Sequence, residues 1–182
     1  MIDRNLNEID RFFKPEPTTR LPSAKSVVGF KRLTDDAVLP TKAHATDSGW
    51  DLVAAEDVNV EPVATVVVKT GIAVQLPHGY EATVRPRSGV TAKTKLRVQL
   101  GTIDNGYGGE IGVIVDNIAR DGMDVDYYSM YRCDFEWGAY QIRKGDRIAQ
   151  LVITKLPTIE AVEITELGES ERGGNGFGST GV

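Results

Sequence analysis

The stretch ATVVVKTGIAVQLPHGYEATVRP, residues 64–86, decides the fold class. Two runs rich in β-branched residues, ATVVVKTGIAVQL and YEATVRP, are separated only by the turn formers Pro77-His78-Gly79. β-Branched side chains suit a pleated, half-buried surface, and three turn residues leave no room for a helix between the runs. Working outward, the same pattern recurs in VVGFKRL, KLRVQLGTI, GEIGVIVDNI, YQIRKGDRIAQLVITKL and AVEITEL, with further turns at Asp104-Asn105-Gly106 and Lys144-Gly145-Asp146. Many short strands without a long amphipathic helix predict an all-β antiparallel sandwich or barrel rather than a βαβ fold.

A chain of 182 residues is enough for one sizeable core. The net charge of −5 argues against a broad basic surface that tracks nucleic acid, because affinity there comes from Lys and Arg on phosphates. No apolar run approaches the roughly 20 residues that cross a bilayer, and the acidic start MIDRNLNEID has no apolar signal core, so a cytoplasmic protein without membrane contact is expected. Cys133 is the only cysteine, and neither His44 nor His78 has a second ligand at turn or helix spacing, so no zinc site is expected.

Residues 1–26 read as an extension: Ile2, Leu6, Ile9 and Phe13 fall roughly at helical spacing and the proline-rich KPEPTTRLPS follows. The β domain spans 27–167. The stretch 168–182, GESERGGNGFGSTGV, is too glycine-rich to pack and reads as a flexible arm.

Several small polar segments can carry chemistry. PRSG at 86–89 puts Arg87 and Ser88 on a tight turn, suited to an oxyanion because the guanidinium forks onto two oxygens and exposed N–H groups take others. GTIDNGY at 101–107 places Asp104 between Ile103 and a turn former, at the mouth of a hairpin, where a partly shielded carboxylate can accept a proton. RIAQL at 147–151 sets a charge and an amide into a strand, and reads equally as a salt-bridged edge. ERGGNGFGST at 171–180 offers a cation and hydroxyls for phosphates and a ring to stack on a base. Singly, the first two are also ordinary turns.

Taken in order, they resemble the five motifs of the trimeric dUTPases: ATDSGWDLVAAED at 45–57, RPRSGV at 85–90, GTIDNGYGGEIGV at 101–113, KGDRIAQLV at 144–152 and RGGNGFGSTG at 172–181. Members of that family are homotrimers of jelly-roll-like β subunits. They hydrolyse dUTP to dUMP and pyrophosphate with Mg2+, at sites assembled from three chains. The resemblance implies that Asp104 is the base that activates water and that Gly101, Thr102 and Ile103 read the uracil edge, with Gln99 nearby. It sets Tyr107 under the deoxyribose. Arg87, Ser88 and Gly89, together with Gln150, become phosphate contacts, and Asp51 reaches Mg2+ through water. Arg172, Gly176, Phe177, Gly178, Ser179 and Thr180 become the closing arm, with Phe177 over the uracil.

Three departures stand out. Ser48 and Trp50 occupy the first motif where alanine and a smaller or tyrosyl residue are usual, and Gly108 stands where many members carry arginine. Between the third and fourth motifs lies an insert, 119–139, with Tyr127, Tyr128, Tyr131, Phe135 and Trp137 among five carboxylates. Such a density of aromatic side chains fits either an extra hairpin packed on its own subunit or a surface for a regulatory protein partner. Some phage dUTPases resemble this chain in carrying an insert there. Two alternatives accompany the dUTPase reading: a dCTP deaminase of the same superfamily, for which Glu110 is the one available carboxylate after Tyr107, and a binding module acting through the insert.

Overall fold

The computed structural model describes residues 26–120 and 138–168. The expected helix within 1–26, most of the insert and the closing arm lie outside the described residues.

Among the described residues, eleven strands and one short helix follow one another: β1 (Gly29–Arg32), β2 (Gly49–Val53), β3 (Val58–Val60), β4 (Thr65–Lys69), β5 (Ile72–Gln75), β6 (Tyr80–Pro86), α1 (Ser88–Lys93), β7 (Leu96–Val98), β8 (Gly101–Ile103), β9 (Gly112–Asn117), β10 (Tyr140–Ile142) and β11 (Arg147–Lys155). Every pairing between them is antiparallel. A four-stranded sheet runs β2-β11-β6-β8, a three-stranded one β4-β9-β7, and β1-β5 and β3-β10 form two-stranded ribbons. This is the expected all-β, jelly-roll-like sandwich.

Alternation assigns the faces. Along β9, Val113, Val115 and Asn117 point inward while Gly112 and Ile114 face out, and on β6 Ala82 and Val84 enter the same core. Leu52, Val60, Val68, Leu96, Tyr140, Ile142 and Leu151 complete it, each at most 1% exposed. Asn117 is buried with its polar groups paired: its Nδ2 donates to the carbonyls of Val60 and Gly138, both at 2.9 Å, and its Oδ1 accepts the Ala119 N–H at 2.9 Å. One amide thereby ties β9 and β3 to both described ends of the insert.

The structure departs from the sequence reading at four places. The 101–107 segment is a corner rather than a hairpin: β8 pairs with β6, whereas β9 pairs with β4 and β7, so the chain crosses between sheets at Asp104. The Arg87-Ser88-Gly89 turn opens α1, with Arg87 in an extended conformation before it. β11 lies between β2 and β6, so RIAQL is central and not an edge. AVEITEL forms no strand: Val162, Ile164 and Leu167 are 70%, 58% and 87% exposed and meet no sheet among the described residues.

Candidate active site

The first cluster arises from strand order. With β11 central, Gln150 stands opposite Asp51 of β2 on one side and Arg85 of β6 on the other, and β6 delivers Arg87 two residues later. The Asp51 carboxylate meets Arg87 Nε at 3.0 Å and Arg147 Nη1 at 3.3 Å. Arg87 also donates from Nη1 to the Arg147 carbonyl at 3.1 Å. Gln150 Nε2 donates to the Pro86 carbonyl at 2.9 Å, at the start of the Arg87-Ser88-Gly89 turn. These groups line a cavity of about 590 Å³ with Ser88, Gly89 and Asp47.

Trp50 lies outside the cavity lining but contacts the loop that leads into it. Its ring packs against Phe30 at a centroid distance of 5.5 Å, and Lys42 Nζ lies over it at 5.2 Å while donating to the Asp47 carbonyl at 2.6 Å. The unusual tryptophan thus clamps the loop that carries Asp47 and Ser48 into the cavity. His44 closes the same loop, its N–H on Asp47 Oδ2 at 2.8 Å, and its exposed ring has no metal-binding company among the described residues. No three His, Cys, Asp or Glu groups of those residues come together as a metal cage.

The cavity carries two guanidinium charges, Arg87 and Arg147, against the carboxylates Asp51 and Asp47. Within the lining, the guanidinium charges are matched one for one by carboxylates. Arg147 was not singled out from the sequence. Its place in the site appears only when β11 lies beside β2: three residues before Gln150, a regular strand would turn it to the opposite face, and the register shift between Arg147 and Ala149 offsets that alternation.

The second cluster lies at the sheet-crossing corner. Ile103 is buried opposite Ala82, while Gly101 and Thr102 face Val84 and Thr83 along the edge strand β8. Asp104 is exposed rather than shielded within one chain, and the Tyr107 N–H donates to its carbonyl at 3.0 Å. Asn105 pins the corner by donating from Nδ2 to the Pro77 carbonyl at 2.7 Å. Tyr107 Oη donates to the Glu110 carbonyl at 3.0 Å, and its ring is seated against Gly109, where a Cβ would lie 2.6 Å from the hydroxyl. Gln99 stands apart from this corner: its amide is taken by the Asp116 carboxylate of β9.

The two clusters are well separated in one chain. Ile103 pairs with Ala82, five residues before Arg87 on β6, or roughly 16 Å at strand rise, and Asp104 lies farther on. Positions 172–180 lie outside the described residues.

Fold and site together give a small β sandwich with a polar cavity walled by an arginine-serine turn and, apart from it, a solvent-facing carboxylate, chemistry suited to a phosphorylated ligand. Comparison with known proteins gives the particular family. A dUTPase family model matches residues 35–129 and 136–181. The deoxyuridine 5'-triphosphate nucleotidohydrolase of Solibacter usitatus is 41% identical over 158 residues, 85% of this chain and 95% of that protein. Among solved structures, the dUTPase of Staphylococcus bacteriophage 80alpha with dUPNHPP is 38% identical, with a TM-score of 0.78 over 87% of this chain and 100% of that one. A variant dUTPase of phage phi11 of S. aureus, described with a structural Mg(II) ion, is 34% identical with a TM-score of 0.70, covering 77% and 97%. The phi11 enzyme is also described with a species-specific insert.

The chain belongs to the dUTPase family, and it is a hydrolase that converts dUTP to dUMP and pyrophosphate. The deaminase alternative is not favoured, and Glu110 is engaged elsewhere, its Oε1 accepting the Gly71 N–H at 2.7 Å.

Proposed function

We propose that the two clusters are halves of one dUTP site, completed when copies of this chain associate as a homotrimer. The observation that carries this reading is the separation between Asp104 and Arg87. A general base must lie within hydrogen-bond reach of its water, and the phosphate must lie within reach of the guanidinium, so two groups roughly 16 Å apart along one strand cannot serve the same phosphorus. A second copy that brings its Asp104 corner to the cavity removes the conflict. The segment 156–168 supports association, because Ile159, Val162, Ile164 and Leu167 are all more than half exposed and need another surface.

In this reading Asp104 takes a proton from water as the water oxygen bonds to the α-phosphorus, and the bond from that phosphorus to the bridging oxygen breaks to release pyrophosphate. Arg87, Ser88, Gly89 and Gln150 hold the phosphates. Gly101, Thr102 and Ile103 present backbone groups to the uracil edge, and Tyr107 lies under the deoxyribose, excluding a 2′-hydroxyl by bulk. Residues 27–167 form the β domain, and the 168–182 arm, through Arg172, Gly176, Phe177, Gly178, Ser179 and Thr180, closes over the nucleotide. Because closure excludes water, it strengthens every charged contact inside.

Magnesium fits this donor set in one way. Of the two cavity carboxylates, Asp47 accepts the His44 N–H, and Asp51, already bridged to two arginines, suits a cation that keeps several waters and is held chiefly by the triphosphate, with Asp51 contacting it through water. When bound, Mg2+ supplies the positive charge that the balanced cavity lacks. A cytoplasmic location, among the nucleotide pool, belongs to the same proposal. A regulatory role for insert 119–139 is a second reading, supported by its aromatic residues; the phage 80alpha dUTPase is described as controlling transfer of virulence genes by a G protein-like mechanism. Deleting the insert is expected to leave hydrolysis intact if it is a partner surface.

The test is pyrophosphate release from dUTP, dTTP, dCTP and UTP by the wild-type protein and Asp104→Asn. Strong dUTP preference and a loss of about a thousandfold or more in kcat for the variant are expected. Equal turnover of dTTP, or an unimpaired variant, overturns the assignment.

A further inference from the structure

We infer that Gly49 is a positioning residue for Gln150, and that it alone lets Gln150 present an N–H to the substrate phosphates. Gly49 opens β2 and lies diagonally across from Gln150, whose direct partner is Asp51. A Cβ built on Gly49 would lie 2.3 Å from Gln150 Oε1 and 2.9 Å from both its Cβ and its Cδ. Carbon atoms do not approach oxygen that closely, so any side chain at 49 displaces the carboxamide.

The orientation of that carboxamide matters. A carbonyl accepts and never donates, so the Pro86 carbonyl selects the Nε2 end of Gln150, at 2.9 Å. The amide is therefore held as a bar between two strands. Its oxygen end rests in the space left by Gly49, and its donor end lies at the mouth of the Arg87-Ser88-Gly89 turn. An NH2 group has two hydrogens, and Pro86 uses one. The other is available to an anion in the cavity that Gln150 and Gly49 both line. Without the space at Gly49 the oxygen end has nowhere to go, and the amide must swing off the Pro86 carbonyl.

This role holds only if Gln150 contacts the phosphates, as proposed above, and the experiment separates the two claims. Steady-state pyrophosphate release from dUTP is measured for Gly49→Ala, Gln150→Ala and the double variant, with thermal unfolding followed in parallel. A hydrogen bond to a charged group is worth roughly tenfold or more, so each single variant is expected to raise KM for dUTP about tenfold while kcat falls less. The double variant is expected to be no worse than either single, since both remove the same contact. Gly49→Ala acting like wild type while Gln150→Ala is impaired overturns the role of Gly49, as do additive losses. Gln150→Ala acting like wild type overturns the phosphate contact itself, and the role of Gly49 with it. If Gly49→Ala folds poorly, Gln150→Gly in the same chain is expected to restore the unfolding temperature, because it removes both the carboxamide and the Cβ that the new methyl meets at 2.9 Å. Failure to restore it assigns Gly49 to the backbone alone and ends the proposal.

Discussion

The Asp51 carboxylate stands 3.0 Å from the Arg87 guanidinium, joining β2 to the turn after β6 across the full width of the central strand β11. Arg147, from β11 itself, approaches the same carboxylate at 3.3 Å. One acidic group therefore orients both cations of the cavity before any anion arrives. Pre-set orientation saves the entropy of ordering two long side chains at binding.

Asp51→Asn is expected to lower kcat about ten- to a hundredfold and to raise the Mg2+ concentration needed for half-maximal activity, the usual scale for losing a group that orients ligands around a metal. A magnesium titration of pyrophosphate release checks this. An unchanged magnesium requirement removes Asp51 from any metal role.

Mixing two inactive variants distinguishes a shared site from a self-contained one. Asp104→Asn supplies intact anion turns and Arg87→Ala supplies intact corners, so co-refolding equal amounts should restore roughly a quarter of the sites by random assortment within a symmetric oligomer. Activity that stays at the level of the unmixed variants means that each chain carries its own complete site.

Asn117→Ala removes three hydrogen bonds from a residue that is 1% exposed and leaves the Val60 and Gly138 carbonyls without that donor. A destabilisation of about 3 kcal/mol is expected from the buried groups left unpaired, read as a lower urea midpoint. A shift below about 1 kcal/mol would show that water replaces the amide there.

Val63 occupies the left-handed region at φ 59° although it is β-branched, in a turn where Ala64 N–H reaches the Glu61 carbonyl at 3.1 Å. It is 79% exposed, so its side chain offers little packing in return. Val63→Gly is expected to raise stability by about 1 kcal/mol, strain relief outweighing the added freedom of the unfolded chain. A loss of stability would mean that another surface covers the valine in the assembled protein.

Asp116 titrates below its ordinary value of 3.8 because the Thr65 hydroxyl, and then the Gln99 amide, bond to its charged form. A lowered folded value contributes stability that is whole above the unfolded value and is lost as pH falls through the folded one. Thr65→Val is therefore expected to be less stable than wild type at pH 7, with the gap narrowing below about pH 4. Urea midpoints across that range check it, and a gap independent of pH would assign the effect to packing.

Much of this was legible in residue order. β-Branched runs and their turns report a local preference, so the sandwich was readable, and five short motifs in order carried the family. Local preference ends where pairing partners are chosen. The Asp104 turn looks like a hairpin by composition, yet β8 and β9 pair with different sheets because Ala82 and Val113 face the same core from opposite sides. AVEITEL has the alternation of a strand and no strand partner among the described residues, since a strand needs an edge and a buried face that a lone segment cannot provide.

By itself the sequence determined the all-β class, the family and the chemical types in the site, because these depend on residue identity and short spacing. Only the tertiary structure decided that β11 is central, so that Asp51, Arg87, Arg147 and Gln150 share one cavity while Asp104 follows β8, beside the opposite end of β6 from Arg87. Strand order is a long-range choice, set by which faces can be buried together, and no local spacing encodes it.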